Sequence, residues 1–344
     1  MSSTPAVESP SSSPGSLVPA KRQRTESEDG KDTAAPSRST RFWFEDGSVV
    51  LHVGPALFKV HKTMLAGKSQ VFRDMFAMPQ PPDQEQMDGC PIIELSGDKH
   101  VEWYTLLSAL YNTLYFDQLQ ASQSLVHTFS RIANILRPAT KYRFVALRRK
   151  CISMYATYVE AGPTLVAAPM LLPVSAAVIV LNAARDANAA TLLPIAFLSV
   201  ANQDGAVTDK IYDCPRLSMQ DKAAALNGLY NLLREQRTHM FPFVDSYDPP
   251  RTCTRKGGCD PSARAFRWYT ARPDRLHFRH PIGVGANKVL FPTAVELLCP
   301  ACYNEVCTIY KTGRQKVWEK LPEIFRLAKD WEELKRDQDR DSEA

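Results

Sequence analysis

The 344 residues are enough for one to three domains with a buried core, and 44% hydrophobic with 23% charged residues is ordinary globular usage. A net charge of +5 is too mild to require a nucleic-acid partner by itself. The first forty residues contain no apolar run long enough for a secretory signal, so the eight cysteines are expected to be reduced thiols and not a disulfide framework.

Residues 1–40 hold ten Ser and five Pro with hardly any aliphatic side chain, a composition that cannot offset the entropy of ordering and predicts a disordered tail. Within it, Lys21, Arg22 and Arg24 precede an acidic run from Glu26 to Asp29. The basic cluster fits either a nuclear import signal or a solvated charge run, so cytoplasm and nucleus are both expected locations.

Order is expected from Arg41. Val49, Leu51 and Val53 alternate with Val50 and His52, the period of a strand; Gly54-Pro55 turns the chain, and Leu57, Phe58 and Val60 supply the second arm of a hairpin. Leu65, Phe72, Met75 and Phe76 then share a helical face, Pro79–Gly89 reads as a loop, and Pro91–Leu95 as a third strand. Apolar residues from Trp103 to Tyr115 recur at three-four spacing and predict one long helix over 101–116, followed by helices near 124–136 and 141–158. A small sheet followed by a run of helices predicts an α+β domain over 41–158.

Beyond it, helices are expected at 174–186, 192–201, 218–235 and 319–335, which divides the remainder into a helical region (159–245), a basic cysteine-containing segment (246–312) and a C-terminal helix (313–344). The stretch 161–184 is uncharged, but Pro163, Pro169 and Pro173 interrupt it, so a core helix is expected and not a membrane span.

The run DGSVVLHVGPALFKVHKTMLAGKSQVFRDMF resembles the opening of a BTB/POZ domain: a Val-Leu-x-Val strand, Phe58, Val60-His61-Lys62, Leu65-Ala66, Ser69, Phe72 and Met75-Phe76. The later ILRPATKYRFVALRRKC is similar to the helix pair that closes that domain. The resemblance implies a non-catalytic interaction module that pairs with itself as a homodimer or captures other proteins, a cullin scaffold among them. It implies Phe58, His61, Lys62, Phe72, Met75 and Phe76 as interaction-motif residues. His61 reads as a core or capping histidine, because no acid or nucleophile stands beside it. In the transcription-factor branch of the family an Asp precedes the first strand; here that place is Ser48 and the nearest carboxylate is Asp46. The segments 178–200 and 313–335, with Gly313, Trp318, Pro322, Phe325 and Trp331, resemble the regions that follow the BTB domain in a large class of fungal proteins.

Cys253 and Cys259, with Cys299 and Cys302 in a C-P-x-C turn, predict a tetrathiolate site for zinc; Cys307, His277 and His280 are the substitute ligands. The alternative is a loose group of buried thiols. Between Arg251 and Lys288 nine basic residues face two acidic ones, with Phe266, Trp268, Tyr269 and Phe278 interleaved. That pattern keeps a second function open, a nuclear DNA- or RNA-associated regulator, beside the bland reading of a solvated face. Gly67-Lys68-Ser69 lacks the earlier glycine of a phosphate loop, and no HExxH, GxSxG or GxGxxG occurs, so no catalytic residue is predicted.

Overall fold

Five strands open the fold: β1 (Ser37–Trp43), β2 (Val49–Val53), β3 (Ala56–Val60), β4 (Gln86–Met87) and β5 (Cys90–Glu94), in the spatial order β1-β3-β2-β5-β4. The computed structural model describes residues 35–79, 83–122, 124–159, 172–201, 207–255, 258–260 and 298–343. The N-terminal tail with its basic run, the uncharged stretch up to Leu171, and His277 and His280 lie outside them, as does most of the basic segment.

The hairpin expected from the alternating valines is present: β2 and β3 pair antiparallel from Val49↔Val60 to Val53↔Ala56, turned by Gly54 at a φ of 55°. Both faces of β2 are covered. Val49, Leu51 and Val53 enter the main core, while Val50 packs with Leu57 and Cys90 in a smaller cluster. The sheet is larger than the three strands expected. β1 pairs in parallel with β3 and starts at Ser37, inside the segment assigned to the tail. β4 occupies part of the expected loop and joins β5 through Asp88-Gly89, both at positive φ, as a two-residue hairpin requires.

Helices α1 (Lys62–Ala66) and α2 (Gln70–Ala77) divide the single helix expected there, because Ser69 leaves helical geometry to cap α2 through the Phe72 N–H. Ser69 is fully buried and its hydroxyl also donates to the Tyr142 carbonyl. The long helix expected over 101–116 is likewise two: α3 (His100–Tyr111) and α4 (Tyr115–Gln120). Asn112 breaks it, its side-chain oxygen accepting from the Leu114 N–H at 3.0 Å in a local turn that competes with the helix. Then come α5 (Leu125–Lys141) and α6 (Val145–Val159). Phe72, Trp103, Tyr142 and Phe144 form the aromatic centre of the domain, and Asp98 fixes it by accepting from Trp103 Nε1 (2.8 Å) and Tyr142 OH (2.6 Å).

The described remainder is mostly helical: α7 (Val174–Asp186), α8 (Leu193–Ala201), α9 (Val207–Tyr212), α10 (Met219–His239), α11 (Pro300–Glu319), α12 (Leu321–Ile324) and α13 (Trp331–Glu343). α7 packs against α5 and α8, and every residue of α8 is buried, which explains why its apolar character runs all round. Arg148 of α6 donates to the carbonyls of Ala187 and Asn188, meeting the acceptors at the end of α7. The continuous helix expected over 319–335 is absent. Arg326 stands at a φ of 55° after α12, and Asp330 starts α13 anew by accepting the Glu333 N–H, while Glu333 accepts the Lys329 N–H. Among the described residues no helix is long and apolar enough to cross a membrane.

Candidate functional site

Two places gather the residues singled out above. The first lies where β3 hands over to α1. His61 precedes α1, its Nδ1 2.9 Å from Tyr111 OH and its Nε2 3.1 Å from Asp46 Oδ1, with the Phe44 ring 5.1 Å away. Hydrogen bonding to His61 is the largest cause holding the Asp46 carboxyl below its ordinary value. Ser48 stands where an acid was sought, and its Oγ accepts the Lys62 N–H at 2.9 Å. The expectation that no acid accompanies His61 is therefore corrected. The turn Asp46-Gly47 carries Asp46 back to the end of β3, a contact across fifteen residues that local reading does not reveal.

The second place is the start of α11. The Sγ atoms of Cys253, Cys259, Cys299 and Cys302 all lie within 4.8 Å of one another, three of the residues buried and Cys253 half-buried. Cys299 is the residue just before α11, Pro300 opens the helix, and the resulting turn brings Cys302 beside Cys299. The Cys299 N–H donates to Cys259 Sγ at 3.2 Å, and Cys299 and Cys253 sulfurs are 3.9 Å apart. The backbone N–H of Cys302, followed by that of Thr254, stabilises the Cys299 thiolate and lowers its pKa to about 5, whereas burial pushes Cys302 up to about 12 and raises Cys259. Tyr247 OH covers the group, 3.5 Å from the Cys302 carbonyl. Cys307, the substitute ligand within the described residues, stays outside the group and contacts Tyr303.

Residues 45–157 match the family model of the BTB/POZ domain. The chain carries a BTB/POZ domain. Searches of the curated proteins and of the solved structures returned no match. The BTB fold is a protein-interaction module, which supports protein partners and self-association in general.

Within the BTB domain the six motif residues divide by burial. Phe58 and Phe72 are 1% and 0% exposed, so they build the core and present nothing to a partner. His61, Lys62, Met75 and Phe76 are partly exposed, with Lys62 Nζ 5.6 Å from the Phe76 ring. Sequence periodicity put Leu114 on the buried stripe of a long helix. Because that helix breaks at Asn112, Leu114 is instead 57% exposed, and Met78, Val101 and Val126 are exposed on the same domain. A cleft of about 670 Å³ lies between α6 and α13 and is lined by Arg149, Ser153, Trp318, Trp331, Lys335 and Asp339 among others, with no histidine or cysteine in its lining. All four predicted cysteine ligands meet in one group, and that group could hold a metal ion.

Proposed function

We propose that this protein is an interaction adaptor: the BTB domain pairs with a second copy or captures a partner, and the helical C-terminal region supplies a second surface. The observation that carries the reading is the BTB match over residues 45–157. Val101 and Leu114, 48% and 57% exposed on that domain, are the positions at which the reading is probed. Recruitment of a cullin scaffold, as in a ubiquitin-ligase adaptor, is the specific form of this role that the test below addresses. For the C-terminal region we read the four-thiol group as a metal-binding staple that keeps loop and helix together.

The test pairs sedimentation of the full chain with affinity capture from lysate. Self-association should appear as a concentration-dependent rise in mass. A cullin should co-purify with the wild type and be lost with Val101→Asp or Leu114→Asp while the fold, read by circular dichroism, is kept. A chain that stays monomeric at every concentration and retains no cullin overturns the proposal.

A further inference from the structure

We propose that Cys253, Cys259, Cys299 and Cys302 enclose a single zinc ion in a closed site whose work is structural. The inference rests on reading the thiol group as metal-binding, and it adds which metal, how many ions and to what end. The donor set comes first. Four sulfurs with no oxygen or nitrogen donor among them are soft ligands, and a tetrahedral S₄ set selects zinc or iron–sulfur chemistry.

Size separates a single ion from a cluster, and zinc is the usual single ion in a closed four-cysteine structural site. Zinc–sulfur bonds of about 2.3 Å at tetrahedral angles place neighbouring sulfurs about 3.8 Å apart. The Cys253–Cys299 separation is 3.9 Å, and no pair exceeds 4.8 Å. An iron–sulfur cluster divides its thiolates between different irons, which sets some of them further apart than the ligands of one ion. The cage is therefore the size of one ion. All four coordination positions are supplied by protein, and three of the four cysteines are buried, so no open position remains for a water or a substrate.

The scaffold explains what the ion would do. Two ligands come from the stretch after α10 and two from the start of α11, Cys299 just before the helix and Cys302 in its first turn, so the ion ties ends that are 40 residues apart between Cys259 and Cys299. Closing so long a loop is entropically unfavourable, and a metal bound only in the folded state offsets it. The hydrogen bond from the Cys299 N–H to Cys259 Sγ already holds the two pairs in contact. α11 packs along α10, so the ion anchors the start of α11 beside that helix. The BTB domain contributes no ligand and should fold without the metal.

The experiment uses the full chain purified under reducing, chelator-free conditions. Native mass spectrometry and elemental analysis should give one zinc per chain, and replacement by cobalt should give the visible bands of a tetrahedral cobalt tetrathiolate. Cys259→Ser and Cys302→Ser should weaken zinc binding by more than about tenfold, while Cys307→Ser leaves it unchanged. Should a serine variant fail to fold, titrating wild-type thiols with a mercurial while a chromophore reports released zinc should yield one zinc for four thiols. Iron, with or without acid-labile sulfide, overturns zinc but leaves the metal-binding reading standing. A folded chain without bound metal sinks both. Capture of partners by the BTB domain is measured separately and stands in either case.

Discussion

Gly313 of α11 lies so close to α10 that a Cβ placed on it would fall 1.9 Å from the carbonyl oxygen of His239. The obstruction is backbone, which cannot swing aside as a side chain can. Gly313→Ala must therefore separate α10 from α11, and we expect a loss of about 3 kcal/mol, at the upper end of overpacking costs. Thr312→Ala, on the exposed side of the same turn, should stay within about 0.5 kcal/mol. Urea denaturation of both variants checks this; equal midpoints would show that the helices are not in close contact.

Gly228 of α10 meets a softer neighbour. Its absent Cβ would stand 2.1 Å from Cδ1 of Phe325, whose ring stacks on Phe197 at 5.3 Å. Gly228→Ala should cost about 1–3 kcal/mol by displacing that ring. Combined with Phe325→Leu, the loss should be smaller than the sum of the two single losses by 0.5 kcal/mol or more, about the least that contacting residues show. Strict additivity in the double-mutant cycle would contradict the contact.

Much of this was legible beforehand because it is local or rests on residue type. The β2–β3 hairpin follows from five alternating positions, α7 from its apolar run, and the thiol group from cysteines that have few other uses in a reduced chain. What escaped depends on partners distant in sequence. The β1 segment SRSTRFW is polar over most of its length and becomes a strand only by parallel pairing with β3. Asp46 reaches His61 only once the hairpin forms. The breaks at Asn112 and Arg326 come from single turns inside otherwise helical patterns, which a periodicity reading passes over.

Arg137 is the charged link between the BTB domain and the helix that follows it. From α5 it pairs with buried Glu102 of α3 and with Asp186 at the end of α7. Removing it leaves Glu102 with Lys99 at 3.9 Å as its remaining cation among the described residues. Breaking one side of a fully buried pair costs about 3–5 kcal/mol, but Arg137 is 41% exposed and solvent screens part of that. Arg137→Met should cost about 2 kcal/mol, and Arg137→Met with Glu102→Gln clearly less. If the double variant is as unstable as the sum of the two single ones, the uncompensated carboxylate is not the cause.

Glu235 sets an acid limit on the C-terminal region. Burial pushes its carboxyl up, but hydrogen bonding to Lys320, with that lysine's charge and those of His239 and Arg234, outweighs burial and holds the pKa below 4.5. The Lys320 contact, at 2.9 Å, joins α10 to the residue between α11 and α12. A carboxylate depressed in the folded state contributes stability above its unfolded pKa and loses it as pH falls through the lower folded value. The contribution should therefore be complete near neutrality and fade below pH 4.5. Glu235→Gln should lower stability by about 0.5–1 kcal/mol near neutral pH, as expected for a pair near the surface, and the two stability curves should converge in acid. Thermal midpoints measured from acid to neutral pH decide it: a difference that persists unchanged into acid would mean that Glu235 acts through packing and not through its charge.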